Sequence, residues 1–110
     1  MAGVMLTAGK NLMCDGLSQH SGLQLVAVES TTVIAREDVS FDSAATGVSD
    51  LAGGNSISLT IVGNHTVNSV YLVPSAQEIT AGYCYATLDS DNVFPNGGDL
   101  IVESFELTVT

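Results

Sequence analysis

The sequence predicts an all-β fold, an antiparallel β-sandwich of jelly-roll-like or Ig-like type. Two observations carry this prediction. Short segments of alternating apolar and polar residues recur along the chain, and turn sequences rich in Gly, Asn and Asp separate them. The core must be aliphatic, because the chain contains three Tyr, three Phe and no Trp, and Val, Ile and Leu supply most of its apolar residues. A chain of 110 residues forms one core and is too short for two.

The last third of the chain has the strongest strand pattern. Residues 79–88 and 100–110 both alternate, and residues 94–99 between them (Phe-Pro-Asn-Gly-Gly-Asp) form a turn sequence. Proline presets φ for a turn, and Asn and Gly tolerate the positive φ that closes it. We therefore predict that these two strands pair as an antiparallel hairpin. Because a hairpin alone is unstable in water, further strands must cover its apolar face.

Further strands are predicted at residues 23–27, 33–42, 56–62 and 67–73, with Pro74 ending the last one. Residues 29–32 (Glu-Ser-Thr-Thr) are predicted to form a turn. Glu37 interrupts an apolar row, which predicts a bend or a bulge near it. The small residues of segment 43–55 indicate a long surface loop. Six side chains are predicted to be buried in the sandwich: Ile57, Leu59, Ile61, Leu72, Leu107 and Val109.

The N-terminal segment is the one helical candidate. Residues 1–21 are predicted to form a short helix or an extended arm, and residues 22–110 the single sandwich domain. Thr7 is suited to cap a helix and Gly16 to end it, whereas Gly9 inside the segment and Lys10 in place of a capping-box Glu weaken it. The sequence is therefore compatible with both a short helix and an extended arm.

The charge balance restricts the possible partners. Two basic residues stand against twelve carboxylates, a formal net charge of −10. Nucleic-acid binding depends on basic side chains that displace counterions, and anionic membrane surfaces repel acidic proteins. We expect neither partner. The mean hydropathy is positive although no segment is long enough to span a membrane, which predicts apolar surface buried in an assembly.

No catalytic, cofactor or metal site is predicted. The two histidines, His20 and His65, lie in polar turn sequences without a triad pattern. Residues 89–92 (Asp-Ser-Asp-Asn) offer oxygen ligands for Ca²⁺, but the loop lacks the Gly and the closing Glu of an EF-hand, so a solvated turn is the preferred interpretation. The start of the chain lacks a basic n-region, so no signal peptide is expected. Cys14 and Cys84 are accordingly expected to be reduced.

The candidate functional residues are apolar and aromatic. An interface is predicted at Val4, Met5, Leu6, Leu12, Met13, Tyr83 and Tyr85. The N-terminal segment contains more large apolar residues than a solvated arm needs. If Cys84, Ala86 and Leu88 take the core face, the two tyrosines form an outward patch typical of interfaces; the alternative is that the tyrosine face is the core.

The chain resembles small virion structural proteins of tailed bacteriophages. The resemblance rests on the opening Leu-Thr-Ala-Gly-Lys-Asn-Leu-Met of residues 6–13, running to Asp15-Gly16-Leu17, and on the closing strand sequence of residues 98–110. It spans the chain, and its motifs are specific only in combination. It implies a β-sandwich and a part in the virion, which assembles in the host cytoplasm, but it assigns no residue roles.

The resemblance implies one main function, and two alternatives stay open beside it. The main one is a capsid decoration or cement protein on the outside of a phage head, bound to the major capsid protein or another virion protein and to itself as a homo-oligomer, with a trimer favoured. The first alternative is a receptor- or glycan-binding module of a tail fibre or adhesin, with Tyr71, Tyr83, Tyr85 and Asn92 as its binding residues. The second is a tail or collar adaptor. Enzyme activity is not expected.

Overall fold

The computed structural model describes residues 6–45 and 47–108, and it confirms an all-β fold with one short helix in this part of the chain. The pairings between its strands are antiparallel, as expected for a β-sandwich. The elements are α1 (Thr7–Ser18), β1 (Leu23–Glu29), β2 (Thr32–Asp38), β3 (Val48–Ser49), β4 (Ile57–Ile61), β5 (His65–Pro74), β6 (Cys84–Phe94), β7 (Gly98–Val102) and β8 (Leu107–Thr108). Between the open alternatives for the N-terminal segment, the structure has the helix.

The chain divides into two compact units, each assembled from separate segments. The first unit comprises Met1–Ser21, Ser40–Ser56 and Glu103–Thr110, and the second comprises Gly22–Val39 and Ile57–Val102. The second unit contains a four-stranded sheet of order β2-β1-β5-β6 and a two-stranded ribbon of β4 and β7. The first contains α1 and the β3–β8 pair. The predicted domain division between residues 21 and 22 stays a prediction.

Strand β1 is one of the two central strands of the four-stranded sheet. Four successive residues, from Leu25 to Val28, are 0% exposed, because a strand with neighbours on both sides and cover on both faces buries every side chain. The turn predicted after Glu29 joins β1 to β2, with Ser30 at a φ of 58°. The register between β1 and β2 shifts where Ala27 and Val28 face Ala35 and Val33. The extra residue of this bulge is Ile34 on β2, three residues before Glu37.

The predicted terminal hairpin is wrong. Strand β6 pairs with β5 in the four-stranded sheet, and β7 pairs with β4 in the two-stranded ribbon. Residues 79–81 are a 3-10 turn rather than the start of a strand. The reason is packing: Ile79 lies against the buried cluster of Val26, Val28 and Val73 on one face of the sheet. The neighbouring Glu78 carboxylate accepts a hydrogen bond of 2.6 Å from Arg36.

The predicted core is confirmed in four of its six members. Leu59, Ile61, Leu72 and Leu107 are buried. Ile57 is only partly buried, since it lies at the first position of β4, and Val109 lies outside the described residues. The alternation predicted for the closing strand also fails in part. Leu100 faces inward at 7% exposure whereas Ile101 is 50% exposed.

Segment 43–55 is not the long surface loop that its small residues predicted. It contains β3, and Ser49 and Leu51 are buried in the first unit. Phe41 and Phe105 meet there edge to face, with ring centroids 6.5 Å apart. The prediction failed because small residues permit close backbone packing as readily as they permit a loop.

The Asp50 carboxylate links the segment that follows β3 to the segment that precedes β8. It accepts hydrogen bonds from the amides of Leu51 (2.7 Å) and Phe105 (2.9 Å) and from the Ser104 hydroxyl (2.8 Å). Burial by itself raises the pKa of this carboxyl, but the hydrogen bonds from the two amides and the hydroxyl outweigh it, so the pKa of Asp50 is lowered.

We expect Asp50→Asn to reduce the free energy of unfolding by about 1–2 kcal/mol at neutral pH, because a neutral amide replaces a charged acceptor that is partly open to solvent. A carboxyl whose folded-state pKa is lowered stabilises the fold above its unfolded-state pKa and loses that contribution as pH falls through the folded-state value. The difference between the two proteins should therefore close in acid. Urea titrations across this pH range measure it, with exposed Asp89→Asn as the control. An Asp50→Asn deficit that persists in acid would contradict the assignment.

Candidate functional site

Helix α1 is anchored through the side chains of one face. The Asn11 and Asp15 side-chain oxygens accept hydrogen bonds from the backbone amides of Gly47 (2.6 Å) and Ala44 (2.7 Å). Asn11 and Asp15 are four residues apart and therefore lie on the same side of a helix. These contacts fix the orientation of α1 within the first unit. They therefore also fix which of its side chains point away from that unit.

The Cys14 thiol adds a third contact on the anchored face. It is buried, and its Sγ donates a hydrogen bond to the Leu107 carbonyl at 3.3 Å, which ties α1 to β8. Burial, with a smaller effect from the Asp15 carboxylate, raises the pKa of this thiol. Cys84 is half-buried, and burial raises the pKa of its thiol too. Both cysteines are free thiols.

The outward face of α1 carries large apolar side chains. Leu6, the N-cap residue of α1, is 76% exposed, and Leu12 and Met13 within the helix are 74% and 59% exposed. We call these three residues the helix patch. A Cβ placed on Gly16, on the same face, would meet no atom within 4 Å, so the surface beside the patch is open. Val4 and Met5, the other two predicted interface residues of this segment, lie outside the described residues.

The second surface is strand β6, at an edge of the four-stranded sheet. Tyr83 and Tyr85, which we call the strand patch, are 45% and 62% exposed. Tyr85 lies on the same face of the sheet as Tyr71 and the buried Val26, at the edge of that buried cluster. Ala86, on the other face, is exposed as well. Tyr85 stacks on Tyr71 of the neighbouring strand, with ring centroids 5.0 Å apart and planes 20° from parallel. The sequence predicted the exposure of the rings but not this stack, which depends on the register of β5 and β6.

Strand β6 is interrupted by a large bulge. Thr87 pairs with Ser69, but the next paired residue, Asn92, faces Val67. Residues 88–91 therefore have no partners on β5, and they carry two exposed acidic residues, Asp89 and Asp91. The acidic segment predicted as a solvated turn is this bulge. No group of three metal-ligating side chains converges within residues 6–45 and 47–108.

The two histidines contact nearby carboxylate and backbone groups. His65 Nδ1 is 3.0 Å from a Glu29 carboxylate oxygen, and the Thr66 amide donates to the other oxygen at 2.7 Å. The amide hydrogen bond first, and that of His65 second, lower the pKa of Glu29. His20 Nδ1 lies 2.7 Å from the carbonyl oxygen of its neighbour Ser21. These contacts secure turns and strand ends.

Comparison with known proteins does not assign the chain to a family. No family model matches it, and searches of curated proteins and of solved structures find no match. Among the described residues, no helix is long and apolar enough to cross a membrane. The resemblance to phage virion proteins and the interface residues stay predictions.

Proposed function

We propose that this protein is a non-catalytic structural subunit of a virion, a decoration or cement protein bound to the outside of a phage head. The observation that carries the proposal is the helix patch. Asn11, Cys14 and Asp15 fix one face of α1, and the other face holds three long apolar side chains in solvent. Burial of such side chains against another protein is favourable by about 25 cal/mol per Å².

The charge of the chain supports an outer position. A net charge of −10 repels packaged DNA and helps to keep the free subunit soluble. The partners we propose are the major capsid protein or another virion protein, together with further copies of this chain as a homo-oligomer, with a trimer favoured. A tail or collar adaptor would use the same helix patch on a different part of the particle.

The proposal is tested by Leu12→Asp, which places a carboxylate in the middle of the helix patch. We expect the variant to lose at least about tenfold in affinity for the particle, because truncation of a central apolar contact and burial of a charge both weaken an interface. Co-sedimentation with purified particles measures the binding, and circular dichroism confirms the fold. Gln77→Asp is the matched control, since Gln77 is exposed in the second unit and the charge change is the same.

A point substitution is preferable to deletion of the N-terminal segment. Deletion would also remove the hydrogen bonds that Asn11, Cys14 and Asp15 make to the first unit, and it would confuse loss of fold with loss of binding. Equal binding of Leu12→Asp and Gln77→Asp to the particle, or a stable monomer that ignores the particle, would contradict the proposal.

The stacked tyrosines favour a second candidate function, a glycan-binding module. Sugar rings pack on exposed aromatic faces, and Tyr85 presents one that Tyr71 holds in place. Asn92, the predicted amide partner, lies beyond the 88–91 bulge and faces Val67, which separates it along β6 from the ring pair. Glycan binding that Tyr85→Ala abolishes, with particle binding unchanged, would favour this candidate over the first.

A further inference from the structure

We infer, building on the proposed role as a bound subunit, that the free edge of β6 accepts an extended basic segment of a protein partner as a fifth strand of the sheet. This inference names the chemistry of the partner and the mode of binding at the strand patch. It uses backbone pairing along residues 84–87, aromatic contact with Tyr85 and charge complementarity with the chain.

The backbone of residues 84–87 is suited to strand addition. These residues pair in unbroken register with β5, from Cys84 with Leu72 to Thr87 with Ser69, so the strand is straight here. Among the strands of residues 6–45 and 47–108, the sheet order is β2-β1-β5-β6, and in it β6 has a neighbour on one side only. Alternate residues of such a strand direct their N–H and C=O groups away from the sheet, where an incoming strand pairs with them.

Over residues 84–87 this edge lacks the usual protection against pairing. Natural sheets guard their edges with lysine, inward charges, proline or a β-bulge. Residues 84–87 (Cys-Tyr-Ala-Thr) contain no charge and no proline, and the bulge of β6 begins only at residue 88. The opposite edge of the sheet differs, because β2 carries Arg36, Glu37 and Asp38 in succession and lies beside β4. The sheet therefore has one guarded edge and one open edge.

The side chains around the open edge suit a cationic partner. Tyr85 is fixed by its stack on Tyr71 while 62% of its surface stays exposed, and a lysine or arginine placed over such a ring gains a cation–π contact. Asp89 and Asp91 follow directly where the straight edge ends. Both are exposed and attract the same basic side chains.

The charges near this edge favour a basic partner over a second copy of this chain at the same place. A second copy that paired through its own residues 84–91 would bring no basic side chain to Asp89 and Asp91, because that stretch contains none. Each copy has only Lys10 and Arg36 as strong bases, and Arg36 is paired with Glu78 at 2.6 Å. A neutral edge beside an acidic bulge on an acidic chain is thus complementary to an extended segment that alternates apolar and basic residues.

The test uses the full chain and a synthetic peptide of alternating lysine and valine. We expect saturable binding with amide chemical-shift changes centred on residues 84–87 in the NMR spectrum. Thr87→Lys should weaken binding by about tenfold or more, because it adds an edge-guarding charge that repels the peptide. Ser58→Lys is the matched control, at an exposed position of β4. It makes the same change in net charge and should weaken binding by no more than about twofold.

Two further peptides separate strand pairing from general charge attraction. A peptide of alternating glutamate and valine should not bind. A lysine and valine peptide that is N-methylated at every second residue, along the edge that would pair, should lose binding because its amides there cannot donate hydrogen bonds to β6. Binding of the N-methylated peptide as tight as that of its parent would overturn the inference. So would equal effects of Thr87→Lys and Ser58→Lys, or self-association that Thr87→Lys abolishes.

The same variants distinguish failure of this inference from failure of the proposed function. If the chain binds the particle and Thr87→Lys binds as well as the unmodified chain, the proposed function stands and the inference about β6 is wrong. If the lysine and valine peptide binds at residues 84–87 but the chain does not co-sediment with the particle, the inference about the edge stands and the proposed function is wrong.

Discussion

Leu59→Ala is expected to lower the free energy of unfolding by about 2–5 kcal/mol. Leu59 lies in the centre of β4, is 0% exposed, and faces the buried Leu100 across the β4–β7 ribbon. Truncation removes buried methyl groups and leaves a cavity that the two-stranded ribbon cannot fully close. Since small domains have total stabilities of roughly 5–15 kcal/mol, the loss should be clear in equilibrium urea denaturation.

The control for Leu59→Ala is Ile101→Ala on the facing strand. Ile101 pairs with Ser58, the residue next to Leu59, but it is 50% exposed. Its truncation should cost less than about 1.5 kcal/mol, because the side chain is only half removed from water. A cost for Leu59→Ala no greater than that for Ile101→Ala would contradict the placement of the core on this face of the ribbon.

Gly97→Ala is expected to be the other strongly destabilising change. Gly97 has a φ of +81°, and a Cβ there would lie 2.7 Å from the carbonyl oxygen of Ile61. The backbone conformation alone costs a non-glycine residue about 1–3 kcal/mol. The contact adds to this, because a backbone oxygen at the end of β4 cannot move without disturbing the pairing of Ile61 with Gly98.

The chain offers a matched control for the two causes. Gly63 has nearly the same φ, +83°, but a Cβ there would meet nothing within 4 Å. Gly63→Ala therefore carries the conformational cost without the steric one, and thermal unfolding of both variants separates the two. Equal losses for Gly63→Ala and Gly97→Ala would show that the close approach to Ile61 has no energetic weight.

Local features of the fold were predictable from the sequence, and the strand partners were not. Alternation located β4, Pro74 ended β5, and the polar turn after Glu29 joined β1 to β2, because each depends on neighbouring residues. The partner of β6 depends instead on the cluster of Val26, Val28 and Val73. That cluster holds residues 79–81 against the sheet, and alternation within one segment contains no information about it.

The candidate surfaces were predictable to a similar extent. An excess of apolar residues in the N-terminal segment predicted that Leu12 and Met13 serve an interface, and both are exposed. The anchoring role of Asn11 and Asp15 was missed, although their spacing of four residues places both polar side chains on one side of the helix. The stack of Tyr85 on Tyr71 had no such signal, since it arises from a register fixed by distant residues.

The bulge at residues 88–91 also affects how the protein behaves at high concentration. Amyloid fibrils grow from uninterrupted segments of about six or seven residues that stack in register from chain to chain. The bulge breaks the pairing of β6 after Thr87, so the straight part of the exposed edge is shorter than such a segment. In a fibril, the carboxylates of Asp89 and Asp91 would also lie above those of the next chain and repel them. The protein can therefore keep an open edge for a partner without offering a template for fibril growth.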